Sequence, residues 1–171
     1  MSIYDEGDRE PKPMSLSVGI LIETRSGGVV MVRQTKNNQW GLVAGKLKGE
    51  FFEDALIREM DEEAGINLRD VGRIERWDIP YVPGIEKDKM GVVYKTKARI
   101  SDEEINSKKP NDPAIAEVRV FSLQEVMDLI YFKQDLIYKK EYNLRNLIRW
   151  AVVSLQEDKT QAREVNISSR H

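Results

Sequence analysis

"EFFEDALIREMDEEAGI" spans residues 50–66 and decides how the chain is read. Within it, the apolar residues Leu56, Ile57, Met60 and Ala64 recur at helical spacing over 52–64. Gly65 stands where a left-handed helix stop belongs. Glu59, Glu62 and Glu63, spaced i, i+3 and i+4, share one face of that helix, beside the apolar stripe. They flank the buried side and do not point straight into water. Like charges at this spacing cost a few tenths of a kcal/mol per pair on an open helix, and more when partly buried. Acids in the last turn also oppose the helix dipole. Arg58 can pair with Glu62 or Glu50, but one cation cannot neutralise three acids. A solvated acidic face is the ordinary reading of such a cluster, and it leaves these costs without compensation. A hard divalent cation compensates them, because Mg²⁺ and Mn²⁺ prefer oxygen ligands.

The flanks supply a sheet. "LSVGILIE" (16–23) is β-branched and apolar, a strand buried on both faces, and "VVMVRQT" (29–35) follows it across the turn "TRSGG" as a hairpin partner. Residues 36–50 carry glycines at 41, 45 and 49 and no helical period, and read as a loop with short extended pieces. Residues 70–79 and 89–100 read as strands joined by the Pro-Gly loop 80–88. A polar loop (101–116) and a short strand (117–121) follow. Ser122 and Glu125 form a capping box that opens a helix over 122–130. The last helix, 142–157, has the stripe Leu144, Leu147, Ile148, Ala151, Val152 and Leu155, which is core or the face of a homodimer. The expected organisation is a flexible arm (1–14), a single domain (15–157) and a flexible tail (158–171). The order of elements predicts an α/β domain, a mixed sheet covered by helices.

Composition narrows the chemistry. The chain has 171 residues and a net charge of −2, which gives no bulk case for a nucleic-acid partner or an anionic membrane surface. It has no cysteine, so disulfides, thiolate–zinc sites and cysteine nucleophiles are excluded. Its one histidine, His171, is the last residue, which removes Ser-His-Asp catalysis. Catalysis must rest on carboxylates, lysine, arginine, tyrosine or an oxygen-bound metal. There is no apolar run near the roughly 20 residues of a membrane span and no signal-like leader, so a cytoplasmic location is expected.

The fixed positions Glu50, Arg58, Glu59, Glu62, Glu63 and Gly65, with apolar Met60 and Ile66, resemble the Nudix box, G-x5-E-x7-R-E-U-x-E-E-x-G-U with U aliphatic. Trp40 and Leu42 stand where that family has a similar approach to the box. One position departs: the first glycine falls on Ala44, within "VAG" (43–45), which puts the loop's shape in question, since alanine resists positive φ.

The resemblance implies a Nudix-like α/β/α sandwich and a divalent-metal-dependent pyrophosphohydrolase, using Mg²⁺ or Mn²⁺. Its substrate would be a nucleoside diphosphate linked to another moiety, such as a nucleoside triphosphate. It implies Glu59, Glu62, Glu63 and the Ala44 carbonyl as metal ligands, Arg58 as the residue that orients the acids, and Glu50 as its anchor. Glu62 or a later loop acid would be the base. Asp112 is the first choice among Glu103, Glu104, Asp112 and Glu117. Arg33, Lys46 and Trp40 are substrate candidates, as are Trp77 and Tyr81 for base stacking. Phe51 and Phe52 are expected to pack under the helix. Pro80 and Pro83, some sixteen residues past the box, support ADP-ribose or a sugar nucleotide as the alternative substrate. A nucleotide-binding sensor without catalysis is the alternative of another class, and the complete set of glutamates stands against it.

Overall fold

Alternating β-branched residues place a long strand, β1 (Ser15–Glu23), at the centre of the molecule. The structure is a computed structural model and describes residues 15–77 and 89–168. The expected N-terminal arm, the loop carrying Pro80, Tyr81 and Pro83, and His171 lie outside the described residues.

The even positions Val18, Ile20 and Ile22 join one core cluster, and Leu21 joins the other. Both clusters are fully shielded from water along this strand, which is why "LSVGILIE" reads as apolar throughout. β2 (Val29–Gln34) alternates the same way, Val30 and Val32 to one side and Val29 and Met31 to the other. The remaining strands are β3 (Trp40–Gly41), β4 (Val43–Lys46), β5 (Glu75–Arg76), β6 (Lys89–Lys97) and β7 (Ile115–Phe121). Among the described residues seven strands form one sheet, in which β6 runs parallel to β1 and the other pairs are antiparallel. One face is covered by α1 (Phe52–Glu59) and the turn that continues it. The other is covered by α3 (Leu123–Phe132) and α4 (Glu141–Ser168). A short α2 (Asp102–Asn106) buries Ile105 against the α1 side.

The expected hairpin is present but parts at once. β1 and β2 share the pair Glu23↔Val29, and then residues 40–46 fill the opening between them. β3 bonds to β2 through Val32↔Gly41 and Arg33↔Trp40, whereas β4 bonds to β1 from Ile20↔Val43 to Ser17↔Lys46. Leu42 is the residue that crosses from one edge to the other.

Several expectations meet a different or more detailed structure. The strand over 70–79 shrinks to β5, because Asn67 and Asp70 cap each other reciprocally and close a 3-10 turn over Leu68–Asp70. The loop over 101–116 contains α2, capped by Ser101, whose hydroxyl accepts from the Glu104 amide. The tail expected to be flexible from residue 158 is helical through Ser168. It has no stripe to bury, but it has good helix formers and neither glycine nor proline. Phe51 does not pack under α1: it is 83% exposed, and only Phe52 packs against the core. The stripe of the last helix divides, with Leu147 and Ala151 buried together with Trp150, and Ile148 and Val152 exposed. Among the described residues no helix is long and apolar enough to cross a membrane.

Candidate active site

The opening between β1 and β2 becomes a cleft of about 410 Å³. Its floor is Ala44, Gly45 and Lys46 of β4, one wall is the acidic helix, and the other is Tyr138, Lys140 and Tyr142. The acidic helix changes pitch where it matters. α1 ends at Glu59, and Met60–Ala64 form a π turn closed by Gly65, whose φ of 64° is left-handed. The wider turn keeps Glu59 and Glu63 buried at 6% and 9% exposure and leaves Glu62 at the rim. It also frees the Glu62 carbonyl to accept from the amides of Asn111 (2.8 Å) and Asp112 (2.9 Å). That pair of bonds ties the 110–112 loop to the helix and brings Asp112 into the cleft.

Arg58 is held in a fixed place. Its guanidinium donates to Glu50 (2.5 Å), Glu59 (2.8 Å), Glu62 (3.1 Å) and the Lys46 carbonyl (3.1 Å). Hydrogen bonding from Arg58 keeps the Glu50 carboxyl below its ordinary pKa, and Glu50 in turn raises that of Arg58. One cation therefore serves three acids, Glu50, Glu59 and Glu62, and Glu63 receives none of it. Glu63 has the Ala44 N–H instead, at 2.7 Å. Burial, reinforced by Glu59, Asp112 and Glu62, pushes its pKa up to about 8, although the Ala44 N–H pulls the other way. Burial also raises Glu59, against the pull of Arg58.

The departure at position 44 proves benign in shape. Ala44 is paired with Gly19 in the ladder and needs no positive φ. The glycine the site requires is the next one. A Cβ on Gly45 would meet the Glu59 carboxylate at 2.0–2.6 Å, so Glu59 lies directly over the bare Cα.

The structure brings Glu59, Glu62, Glu63, Asp112, Ala44 and Lys46 together. Glu103 and Glu104 stay exposed on α2, and Glu117 is engaged by Arg33 at 3.3 Å. Trp40 is 7% exposed and packs edge-on against Phe121, and Arg33 lies over the Trp40 ring at 5.7 Å; neither lines the cleft. Trp77 sits between Lys95 (4.3 Å) and Arg149 (4.0 Å), also away from it. Lys36, Lys48 and Lys140 join Lys46 around the carboxylates. These lysines come from three segments; the sequence offered Lys46 as a candidate, and Lys36, Lys48 and Lys140 carried no local signal. Burial, followed by Tyr138, raises the pKa of the Tyr142 hydroxyl, so it stays protonated beside the acids.

Among the described residues no three acids already converge as a metal cage. Arg58 engages Glu59 and Glu62, and Ala44 engages Glu63. The donor set is nevertheless all oxygen, more acidic than its one arginine can balance, and partly desolvated, which suits a hard divalent cation.

Three comparisons bear on this site. The family model described as NUDIX domain matches residues 13–150. An RNA pyrophosphohydrolase of Edwardsiella ictaluri is 29% identical over 164 residues, covering 85% of this chain and 88% of that protein. Its counterpart in an Escherichia coli strain is 28% identical over 159 residues, covering 83% and 86%. A NUDIX hydrolase from Nitrosomonas europaea superposes with a TM-score of 0.59 at 19% identity, covering 82% of this chain and 72% of that one. At that identity the likeness concerns the fold. With the family model spanning most of the sheet, both covering faces and every residue of the acidic helix, the chain belongs to the NUDIX domain family, whose pyrophosphohydrolases it resembles.

Proposed function

We propose that this protein hydrolyses a phosphoric anhydride of a 5′-polyphosphorylated nucleotide, with Mg²⁺ or Mn²⁺ bound by the cleft carboxylates. The observation that carries this reading is that Glu59, Glu62, Glu63 and Asp112 line one cleft together with Lys36, Lys46, Lys48 and Lys140. Bare carboxylates repel a polyphosphate. The lysines attract one, and a divalent cation reconciles the two. Glu59, Glu63, Glu62 and the Ala44 carbonyl are the proposed ligands. Bound there, the metal supplies charge neutralisation and a more acidic water.

The chain's own groups do the rest. Water adds to phosphorus, the bridging P–O bond breaks, and the leaving phosphate carries away the electron pair. The water's proton passes to Glu62 or Asp112. Glu62 is favoured as base because it is the least buried glutamate of the acidic turn and accepts from Arg58, which fixes its direction. Lys46 and Lys48 on the floor and Lys140 on the wall are placed to hold phosphate oxygens.

A second substrate reading has a specific support. The relatives matched over most of this chain are named RNA pyrophosphohydrolases, so a triphosphate at an RNA 5′ end joins the free nucleotides. The net charge of −2 argues against a long nucleic-acid contact but not against one 5′ terminus held by four local lysines. The ADP-ribose alternative rests on Pro80 and Pro83, outside the described residues.

The test is phosphate and pyrophosphate release from nucleoside triphosphates, 5′-triphosphorylated RNA, ADP-ribose and sugar nucleotides. It is run with Mg²⁺ or Mn²⁺, for wild type and Glu62→Gln. Turnover of one class that collapses in the variant is expected. Binding without turnover across the whole panel would replace hydrolysis by sensing.

A further inference from the structure

Asn143 is a polar side chain with no exposure at all, and it lies at the joint between the floor of the cleft and its Tyr138 wall. Its Oδ1 accepts from the Leu42 N–H at 2.6 Å, and its Nδ2 donates to the Tyr138 carbonyl at 2.7 Å. Leu42 is the residue that crosses from the β2 edge to the β1 edge, so its amide has no place in either ladder. A buried amide without a partner is destabilising, and Asn143 meets that need from α4. Gly41 makes room for it: a Cβ there would lie 3.1 Å from Asn143 Oδ1 and 3.1 Å from the Tyr138 Cβ.

Each end of the amide leads to a different part of the site. On the floor, Leu42 is two residues from Ala44, whose N–H holds Glu63. On the wall, Tyr138 leads the segment bearing Lys140 and Tyr142, and it is further fixed by its own N–H to the Trp40 carbonyl at 2.8 Å. We infer that Asn143 is a positioning residue for the reaction, a clasp that sets the separation between the Ala44–Lys46 floor, on which Glu63 is held, and the Tyr138–Lys140–Tyr142 wall.

The inference rests on the proposed function for its kinetic readout and stands on amide exchange without it. Two variants separate the two ends. Asn143→Asp keeps the acceptor for Leu42 and loses the donor to Tyr138. It should raise KM about tenfold with kcat nearly unchanged, since the wall meets the substrate in ground and transition states alike. Asn143→Leu loses both ends. It should raise KM similarly, lower kcat about tenfold through the Ala44–Glu63 contact, and speed hydrogen exchange at the Leu42 and Ala44 amides. Leu147→Ala, in the apolar core of the same helix, serves as the control for stability alone and should leave KM in place. Asn143 variants that melt like Leu147→Ala with wild-type KM and kcat would overturn the clasp. Wild-type protein without turnover would remove the proposed function, and the clasp would then be decided by exchange: unchanged protection of Leu42 in Asn143→Leu overturns it.

Discussion

Helices α1 and α4 lie on opposite faces of one sheet, and both bury polar side chains, with opposite consequences. α4 buries amides. Asn143 meets Leu42 and Tyr138, and Asn146 donates to the Tyr142 carbonyl at 2.6 Å. Asn143, a neutral amide bonded at both ends, holds its neighbours in place and asks for nothing more. α1 and its π turn bury carboxylates. Glu59 shares Arg58 with two other acids, and Glu63 has only a backbone N–H to set against its burial. The buried amide of Asn143 on α4 completes a structure, whereas the buried carboxylates of α1 and its π turn leave a demand that suits a cation. The cleft lies where the two kinds of burial meet.

The strongest way to break this contrast is to remove a charge and keep the shape. Glu62→Gln should lower turnover by about 10²–10⁴-fold while the melting temperature holds, because general-base catalysis contributes on that scale. A Gln variant with near-wild-type kcat would transfer the base to Asp112.

Titration sharpens it next. The folded pKa of Glu63, about 8, lies above its ordinary 4.5, so the folded state holds the proton more tightly than the unfolded chain. That stability is present in full below about 4.5 and is lost as pH rises through about 8. In EDTA, unfolding free energy should fall across this window by on the order of 5 kcal/mol. Excess Mg²⁺ or Mn²⁺ should remove most of the fall. A flat profile in EDTA would mean that Glu63 is better solvated than its surroundings indicate.

Gly45→Ala should displace the Glu59 carboxylate at a cost of about 1–3 kcal/mol and weaken Mn²⁺ binding, as read by titration calorimetry. The matched change on the other face, Ile148→Glu at an exposed position of α4, should shift stability by no more than about 0.5 kcal/mol. Sedimentation of that variant also tests a homodimer through Ile148 and Val152: a loss of mass relative to wild type would assign that half of the stripe to self-association.

What the chain's local pattern settles is considerable. The i, i+3, i+4 acids beside an apolar stripe, closed by a glycine, locate the helix, its buried face and the Arg58–Glu50 pairing, because these depend on neighbours within two turns. The strands β1 and β2 are legible for the same reason, as is the capping box of Ser122 and Glu125. What escapes is whatever depends on segments far apart. The π turn arises where the Glu62 carbonyl meets the 110–112 loop. Gly45 matters because Glu59 lies over it, and four lysines become one patch only when three segments meet. Asn143 reads in sequence as one more polar residue early in a helix. Its role appears only when β3 and β4 part, because an amide left between two ladders needs a partner that neither strand can supply.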